Sequence, residues 1–196
     1  WRILQKAFQQ YGYEFVSVFD SDPLNRLIIP FGLQLDPEFF QDNVNLRASS
    51  STPTIVTVVT PEYFPQSVLI VFGDTTTAPN FDNGGNYTAG VYTTPLTALY
   101  DLIAELNVTI TATSGDPGQY NEVSLIYTVN GNVVHIYALS DGHDWNTSFV
   151  FDNSIIFEQI QDLNETDTVE LYLKYEGVTL NATIEGVFSV QAEKES

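Results

Sequence analysis

The feature that most constrains this chain is a series of strand-sized segments after Pro53, each rich in β-branched and aromatic residues and bounded by turn-forming residues. Eight segments are predicted to be strands: 54–60, 67–72, 107–113, 122–129, 133–139, 148–151, 168–175 and 178–190. Many short strands joined by turns favour an all-β fold, an antiparallel β-sandwich of immunoglobulin-like or jelly-roll-like type, over a parallel α/β sheet. The apolar runs are far shorter than the roughly 20 residues that cross a bilayer, so we expect no membrane insertion.

Two turns are specific enough to predict which strands are neighbours. Asn130-Gly131 separates two strand-like segments, and this dipeptide tolerates the positive φ angles of a type I′ hairpin turn. Glu176-Gly177 is expected to make a similar turn between the last two segments. The sequence therefore predicts two hairpins in the body of the fold.

Two short helices are expected to interrupt the strands. In the first, Thr94 caps the helix and Pro95 occupies its first turn, where the missing N–H is tolerated. Its apolar stripe is Leu96, Leu99, Ile103 and Leu106. In the second, Asn153 and Ser154 are good N-caps and the stripe is Ile156, Ile160 and Leu163. Both stripes are expected to face the core.

Charge divides the chain at residues 47 and 48. Residues 1–47 contain four of the six basic residues and six acidic ones, a formal charge of −2, which leaves −17 of the total −19 on residues 48–196. We therefore predict an N-terminal arm, 1–47, and a β-sandwich body, 48–196. A short amphipathic helix over 1–11 and extended stretches at Tyr13–Phe19 and Leu24–Leu35 are expected in the arm.

A nearly neutral, strand-forming arm can dock where two acidic bodies repel each other. In β-augmentation, such an arm adds main-chain hydrogen bonds to an open sheet edge of a neighbouring copy, and alternate side chains fill pockets. The predicted donor residues are Tyr13, Phe15, Val16, Val18, Phe19, Leu27, Ile28 and Ile29. The alternative is that these strands belong to the chain's own sheet.

Five asparagines fit the N-glycosylation pattern, with Ser or Thr two positions later and no Pro between. They are Asn86, Asn107, Asn146, Asn164 and Asn181. We expect at least three to carry glycans in an extracellular protein. Asn107 and Asn181 fall within strand-like segments, so a glycan there requires a side chain that points to solvent.

The arm from Tyr13 to Leu35, the all-β body, the absence of Cys and the five sequons together resemble the donor-strand-exchanged surface filaments of archaea, the threads and bundling pili of hyperthermophiles. The resemblance implies that an N-terminal strand completes the sandwich of the next subunit, and that N-glycans coat the fibre. It predicts a structural protein of the cell surface whose partner is another copy of itself.

Residues suited to catalysis or metal binding are sparse. The chain has no Cys, only two His and none of the common catalytic motifs, so we predict that it is not an enzyme. Its negative charge repels nucleic acid and anionic lipid. No cofactor is expected beyond glycans; the weak calcium candidates are Asp74 and Asp82 in a glycine-rich loop and Asp141 and Asp144 beside His143.

Three functions are consistent with these sequence features. The first is a self-assembling filament subunit, the second a secreted carbohydrate-binding or adhesion module that recognises surface glycans, and the third a viral capsid or S-layer protein with a β-sandwich body.

Overall fold

The computed structural model describes residues 43–61, 63–114, 121–140 and 148–192, all within the compact unit Leu35–Ser196. They form eleven strands. The strands are β1 (Leu46–Ser49), β2 (Thr54–Val58), β3 (Gln66–Leu69), β4 (Tyr87–Thr88), β5 (Val91–Thr93), β6 (Ala98–Ser114), β7 (Glu122–Val129), β8 (Asn132–Ala138), β9 (Ser148–Leu163), β10 (Thr168–Glu176) and β11 (Val178–Ala192). The first strand begins at Leu46, just before the boundary predicted at 47 and 48. No described helix is long and apolar enough to cross a membrane.

The strands form two antiparallel sheets, which confirms the predicted all-β class. The first sheet has the order β1-β11-β6-β9, and β2 also pairs with β11. The second sheet has the order β4-β5-β10-β7-β8, and β3 also pairs with β10. The predicted hairpin is confirmed: Asn130 and Gly131 have φ angles of 50° and 75° and join β7 to β8. The second predicted hairpin is wrong: Gly177, with φ 68°, connects β10 of the second sheet to β11 of the first, and these two strands do not pair.

The core lies between the two sheets and is built by residues that alternate along each strand. On β6 every second side chain from Tyr100 to Ala112 is at most 2% exposed. On β7 and β10 the inward residues include Leu125, Tyr127 and Leu171, which are equally buried. Phe188 on β11 packs against Tyr127 across the sandwich, with ring centroids 6.2 Å apart. Each large apolar side chain buried in this way stabilises the fold by about 1.5–3 kcal/mol.

Both predicted helices are wrong, because Leu99, Ile103 and Leu106 of the first and all of the second belong to the two long strands β6 and β9. In β6 the buried residues are Leu102 and Leu106, together with Tyr100 and Ala104, so the period is two. In β9, Ile156 and Ile160 are exposed while Ile155 and Phe157 are buried. A spacing of four residues places side chains on one face of a helix and also on one face of a strand. The long antiparallel pairing between β6 and β9 decides in favour of the strand.

Strand β11 holds the first sheet together, because it pairs with β6 on one side and with both β1 and β2 on the other. The change of partner occurs at Gly186, which has a φ of 154°. Its N–H donates to Ser50 Oγ at 3.1 Å, and its carbonyl oxygen accepts the Ser50 N–H at 2.9 Å. A Cβ at this position would lie 2.0 Å from the carbonyl oxygen of Glu105 on β6, so only glycine fits without displacing the backbone.

Candidate functional site

Strand β9 is a long, open edge of the first sheet. It has 16 residues and pairs with β6 in continuous register from Ala98↔Leu163 to Thr113↔Ser148, and no described strand lies on its other side. Proteins usually protect such edges with Lys, Pro or a β-bulge. Residues 148–163 contain no Lys, Arg, Pro or Gly, and their pairing has no bulge. Half of the backbone groups of an antiparallel edge strand point away from its neighbour, so about eight residues of β9 direct their donors and acceptors away from β6.

The other edges among the described residues are shorter or covered. Strand β1 bonds on its outer side to residues 74 and 81, through four backbone hydrogen bonds of 2.9 Å. Strand β8, the edge of the second sheet, has seven residues and a register shift at Val134. Strand β2 has five residues. The edge of β9 is therefore the place where a further strand has the most backbone to bind.

The outward face of β9 alternates apolar and polar side chains. Val150 and Ile156 are each 66% exposed and Ile160 is 49% exposed. The same face carries three acidic residues, Asp152, Glu158 and Asp162, which give the strand a formal charge of −3. This combination suits a partner strand that is apolar and carries neutral or positive charge.

Burial decreases toward the side of the sandwich where β8 and β9 are the edge strands, which we call the open flank. Its inward residues Val134, His135, Tyr137, Phe149 and Phe151 are only partly buried, whereas those of the central strands are almost fully buried. Phe157 of β9 connects the first sheet to the second. Its ring centroid lies 4.4 Å from that of Tyr127 on β7 and 5.1 Å from that of His135 on β8, and it stacks on both. The open flank thus has aromatic and apolar surface that further side chains can cover.

Two sequons lie on the outward face of the central strands of the first sheet. Asn107 on β6 and Asn181 on β11 are both exposed. Their threonines, Thr109 and Thr183, pair across the strands, so the two sequons run in opposite directions and the asparagines lie roughly 14 Å apart. Ser154 Oγ donates to Asn107 Oδ1 at 2.7 Å, a bond that does not use the nitrogen to which a glycan attaches.

The other two described sequons differ from each other. Asn164 is exposed in the turn between β9 and β10, where its backbone N–H donates to Asp167 Oδ2 at 2.8 Å. A hydrogen bond from the Asn130 side chain, together with this backbone bond, lowers the pKa of Asp167. Asn86 is partly buried, and its Nδ2 donates to the Asn43 carbonyl oxygen at 2.7 Å. In Asn86 the nitrogen that a glycan requires is therefore already part of the fold.

The calcium candidates that the structure describes have roles within their loops. The Asp74 carboxylate accepts the N–H groups of Thr77 and Thr76 at 2.9 and 3.0 Å, and these bonds hold its pKa below the usual value. The Asp82 carboxylate accepts the N–H groups of Asn86 and Tyr87 at 2.9 and 3.0 Å. Within the described ranges no three His, Asp or Glu residues are grouped as metal ligands.

Several predicted site residues lie outside the described residues. They are Asn146, Asp141 and Asp144, and the whole predicted donor strand: Tyr13, Phe15, Val16, Val18, Phe19, Leu27, Ile28 and Ile29. Conversely, the edge of β9 and the open flank were not identified from the sequence. The absence of Lys, Arg, Pro and Gly over 148–163 is the signal that indicates them, provided the segment is recognised as a strand.

Comparison with known proteins gives only distant similarities. No family model and no curated protein matches the chain. The chain is similar to the globular domain of zebrafish complement 1qA protein, with 13% identity and a TM-score of 0.37 over 79% of this chain and 100% of that one. It is also similar to a family 35 carbohydrate-binding module from Clostridium thermocellum, with 15% identity and a TM-score of 0.32 over 76% of this chain and 98% of that one. A third similar structure is Eiger TNF from S. frugiperda, with 10% identity and a TM-score of 0.38 over 78% of this chain and 94% of that one. All three TM-scores are below 0.5, so these similarities carry no functional inference.

Proposed function

We propose that this protein is the structural subunit of an extracellular surface filament, of thread or pilus type, and that it polymerises head to tail by donating its N-terminal arm to the next copy. The observation that supports the proposal best is the edge of β9, which is long, free of bulges and without Lys, Arg or Pro. The function is structural and non-catalytic, and its partner is a second copy of this chain.

Backbone pairing at this edge supplies a large part of the binding free energy. Sixteen residues of β9 extend over roughly 50 Å, so a strand of eight to twelve residues has ample length to pair. Each main-chain hydrogen bond contributes about 0.5–1.5 kcal/mol net, and a strand of this length forms several of them. Apolar side chains of the arm that enter the open flank add to this.

Charge favours donation of the arm over direct contact between bodies. Residues 48–196 have a formal charge of −17, so two bodies repel each other, whereas residues 1–47 carry only −2. A head-to-tail contact of this kind is heterologous, and it propagates as a fibre unless its rotation closes a ring.

The position of the sequons also supports contact in the plane of the sheet. Glycans on Asn107 and Asn181 would cover the outward face of the two central strands. Packing of that face against another copy would then be blocked, whereas a strand that extends the sheet beside β9 would be tolerated.

The proposal is tested by negative-stain microscopy of the purified full chain and of two matched variants. Ile156→Lys places a positive charge on the outward face of β9, and Ile55→Lys makes the same change on the outward face of β2, at the other edge of the sheet. Both isoleucines are well exposed, at 66% and 71%, so neither change disturbs the core. We expect fibres from the unchanged chain and from Ile55→Lys, and fewer or shorter fibres from Ile156→Lys.

Dispersed monomers of the unchanged chain would contradict the filament function, and binding of such monomers to a glycan array would favour the carbohydrate-binding alternative. Fibres that are affected equally by both variants would retain the filament function but exclude β9 as the acceptor edge.

A further inference from the structure

One segment of the arm would have a uniform apolar face if it is extended, as the sequence predicts. In an extended chain, alternate side chains lie on the same side. From Leu27 to Leu35 every second residue is large and apolar. These residues are Leu27, Ile29, Phe31, Leu33 and Leu35, and the residues between them are Ile28, Pro30, Gly32 and Gln34.

The other stretch predicted to be extended, Tyr13–Phe19, would have no such face. Ser17 interrupts the series that contains Phe15 and Phe19, and Glu14 belongs to the alternate series. Of the two predicted donor stretches, only the second has one face that is apolar throughout.

This pattern suits the partly buried aromatic surface of the open flank. A strand added beside β9 continues the first sheet, so every second side chain of that strand points into the sandwich. There it meets the partly buried Phe149 and Phe151 of β9 and the partly buried Tyr137 of β8. A row of large apolar side chains is the occupant that such a surface stabilises most.

Charge agrees with the same orientation. Residues 24–35 contain Arg26 and no acidic residue, a formal charge of +1 against −3 on β9. If Leu27 and its alternates point inward, Arg26 points outward. The outward side is also the side on which Asp152, Glu158 and Asp162 lie.

Pro30 fits the same arrangement. Proline has no N–H, so it is tolerated in an edge strand only where its nitrogen points away from the neighbouring strand. With that orientation, the backbone groups of the residues on either side, Ile29 and Phe31, point toward β9. The added strand would be the new edge of the sheet, where a proline also hinders the pairing of yet another strand.

We infer that Leu27, Ile29, Phe31, Leu33 and Leu35 of one copy are the side chains that fill the open flank of the next copy, with Arg26 above the acidic outward face of its β9. The inference rests on the proposed filament function and specifies its donor segment, the face of that segment and its acceptor.

Neighbouring isoleucines provide a matched test in the full chain. Ile29→Asn places an amide on the face that points into the flank, and Ile28→Asn makes the same change on the opposite face. We expect the polymerised fraction, measured by sedimentation at fixed concentration, to fall about tenfold or more for Ile29→Asn and to stay within about twofold for Ile28→Asn. Equal effects, or a larger effect of Ile28→Asn, would overturn the assigned face. In either case the fibres of the unchanged chain test the filament function separately.

Disulfide trapping tests the acceptor, because the chain has no Cys and every introduced thiol is unambiguous. A Leu33→Cys protein is mixed, in separate experiments, with a Phe151→Cys, an Asn153→Cys or a Gln159→Cys protein, three inward positions along β9. A disulfide requires Cα atoms about 5.5 Å apart, so trapping reports direct neighbours. We expect a reducible dimer in at least one mixture and none with Ile55→Cys, which lies on β2.

Failure to trap a dimer at all three positions while fibres still form would overturn the inference and leave the filament function standing. Trapping only within one chain, in proteins that carry both cysteines, would show that the arm returns to its own body and would also overturn it.

Discussion

Gly186 provides a stringent test of the fold, since the two central strands of the first sheet meet at this residue. A Gly186→Ala substitution adds one methyl group, whose carbon would lie 2.0 Å from the Glu105 carbonyl oxygen and 2.9 Å from the Leu106 Cα. Both are backbone atoms of β6, so relief of the contact requires β6 and β11 to separate. The backbone also has a φ of 154°, which residues with a side chain rarely adopt and which costs about 1–3 kcal/mol.

The two contributions together are expected to lower the free energy of unfolding by about 4 kcal/mol, at the upper end of single substitutions. Gly131→Ala is the matched control. Its φ is also positive, at 75°, but a Cβ there meets nothing within 4 Å, so only the backbone term of about 1–2 kcal/mol applies. The difference between the two variants isolates the contact with β6.

Urea unfolding followed by far-ultraviolet circular dichroism, at equal protein concentration for all samples, measures both effects. A loss for Gly186→Ala within about 1 kcal/mol of the loss for Gly131→Ala would refute the reasoning. It would mean that β6 and β11 accommodate the methyl group without separating.

Two further predictions concern glycans and tyrosines. Peptide mass spectrometry of protein from its source cells should find glycans on Asn107, Asn164 and Asn181 and little on Asn86, whose Nδ2 donates to Asn43; equal occupancy of Asn86 would contradict this. Burial raises the pKa of Tyr87 and of Tyr100 to about 12, so the folded protein keeps protons that the unfolded chain releases near pH 10.0. Stability should therefore be unaffected by these groups below pH 10 and fall as pH rises from 10 toward 12. Urea midpoints measured across this range, with tyrosinate absorbance as the titration readout, check it; a constant midpoint while tyrosines ionise in the folded state would oppose it.

Local turn chemistry and alternation explain why much of the sandwich could be predicted. The type I′ turn at Asn130-Gly131 depends only on the φ angles that these two residues tolerate, and it formed as expected. Strand β10 shows the period of two most clearly, because buried and less buried side chains alternate along its whole length. Strands β1, β4 and β5 have only two to four residues and owe their conformation to pairing, so no local pattern indicates them.

The wrong helix prediction shows that a local sequence pattern can fail to distinguish a helix from a strand. Thr94 was interpreted as a helix cap, and it does bond to backbone carbonyls, but they belong to Asn164 and Asp167, more than 60 residues away in sequence. The hydroxyl group therefore bonds to the turn between β9 and β10 and not within a first helical turn. Ile156 and Ile160 fit a helix stripe and a strand face equally well, and only the pairing of β9 with β6 separates the two.

The candidate site was harder to predict than the fold, since edge status depends on strand order. Among the described strands, β9 pairs with β6 alone, and β6 has β11 on its other side, so the edge follows from pairings between residues that are far apart in sequence. The sequons, in contrast, are local motifs that the sequence locates directly. The structure adds the directions of their side chains, which distinguish Asn86 from Asn107 and Asn181.

The continuous register of β6 with β9 and with β11 has a mechanical consequence. Backbone hydrogen bonds in an antiparallel ladder lie perpendicular to the strands. Tension applied along these strands loads all the hydrogen bonds of a ladder at once, in shear. Tension across the strands breaks the bonds one after another, starting from one end. With 16 pairs between β6 and β9 and 15 between β6 and β11, the first sheet is built to resist pulling along its length far better than peeling from its edge.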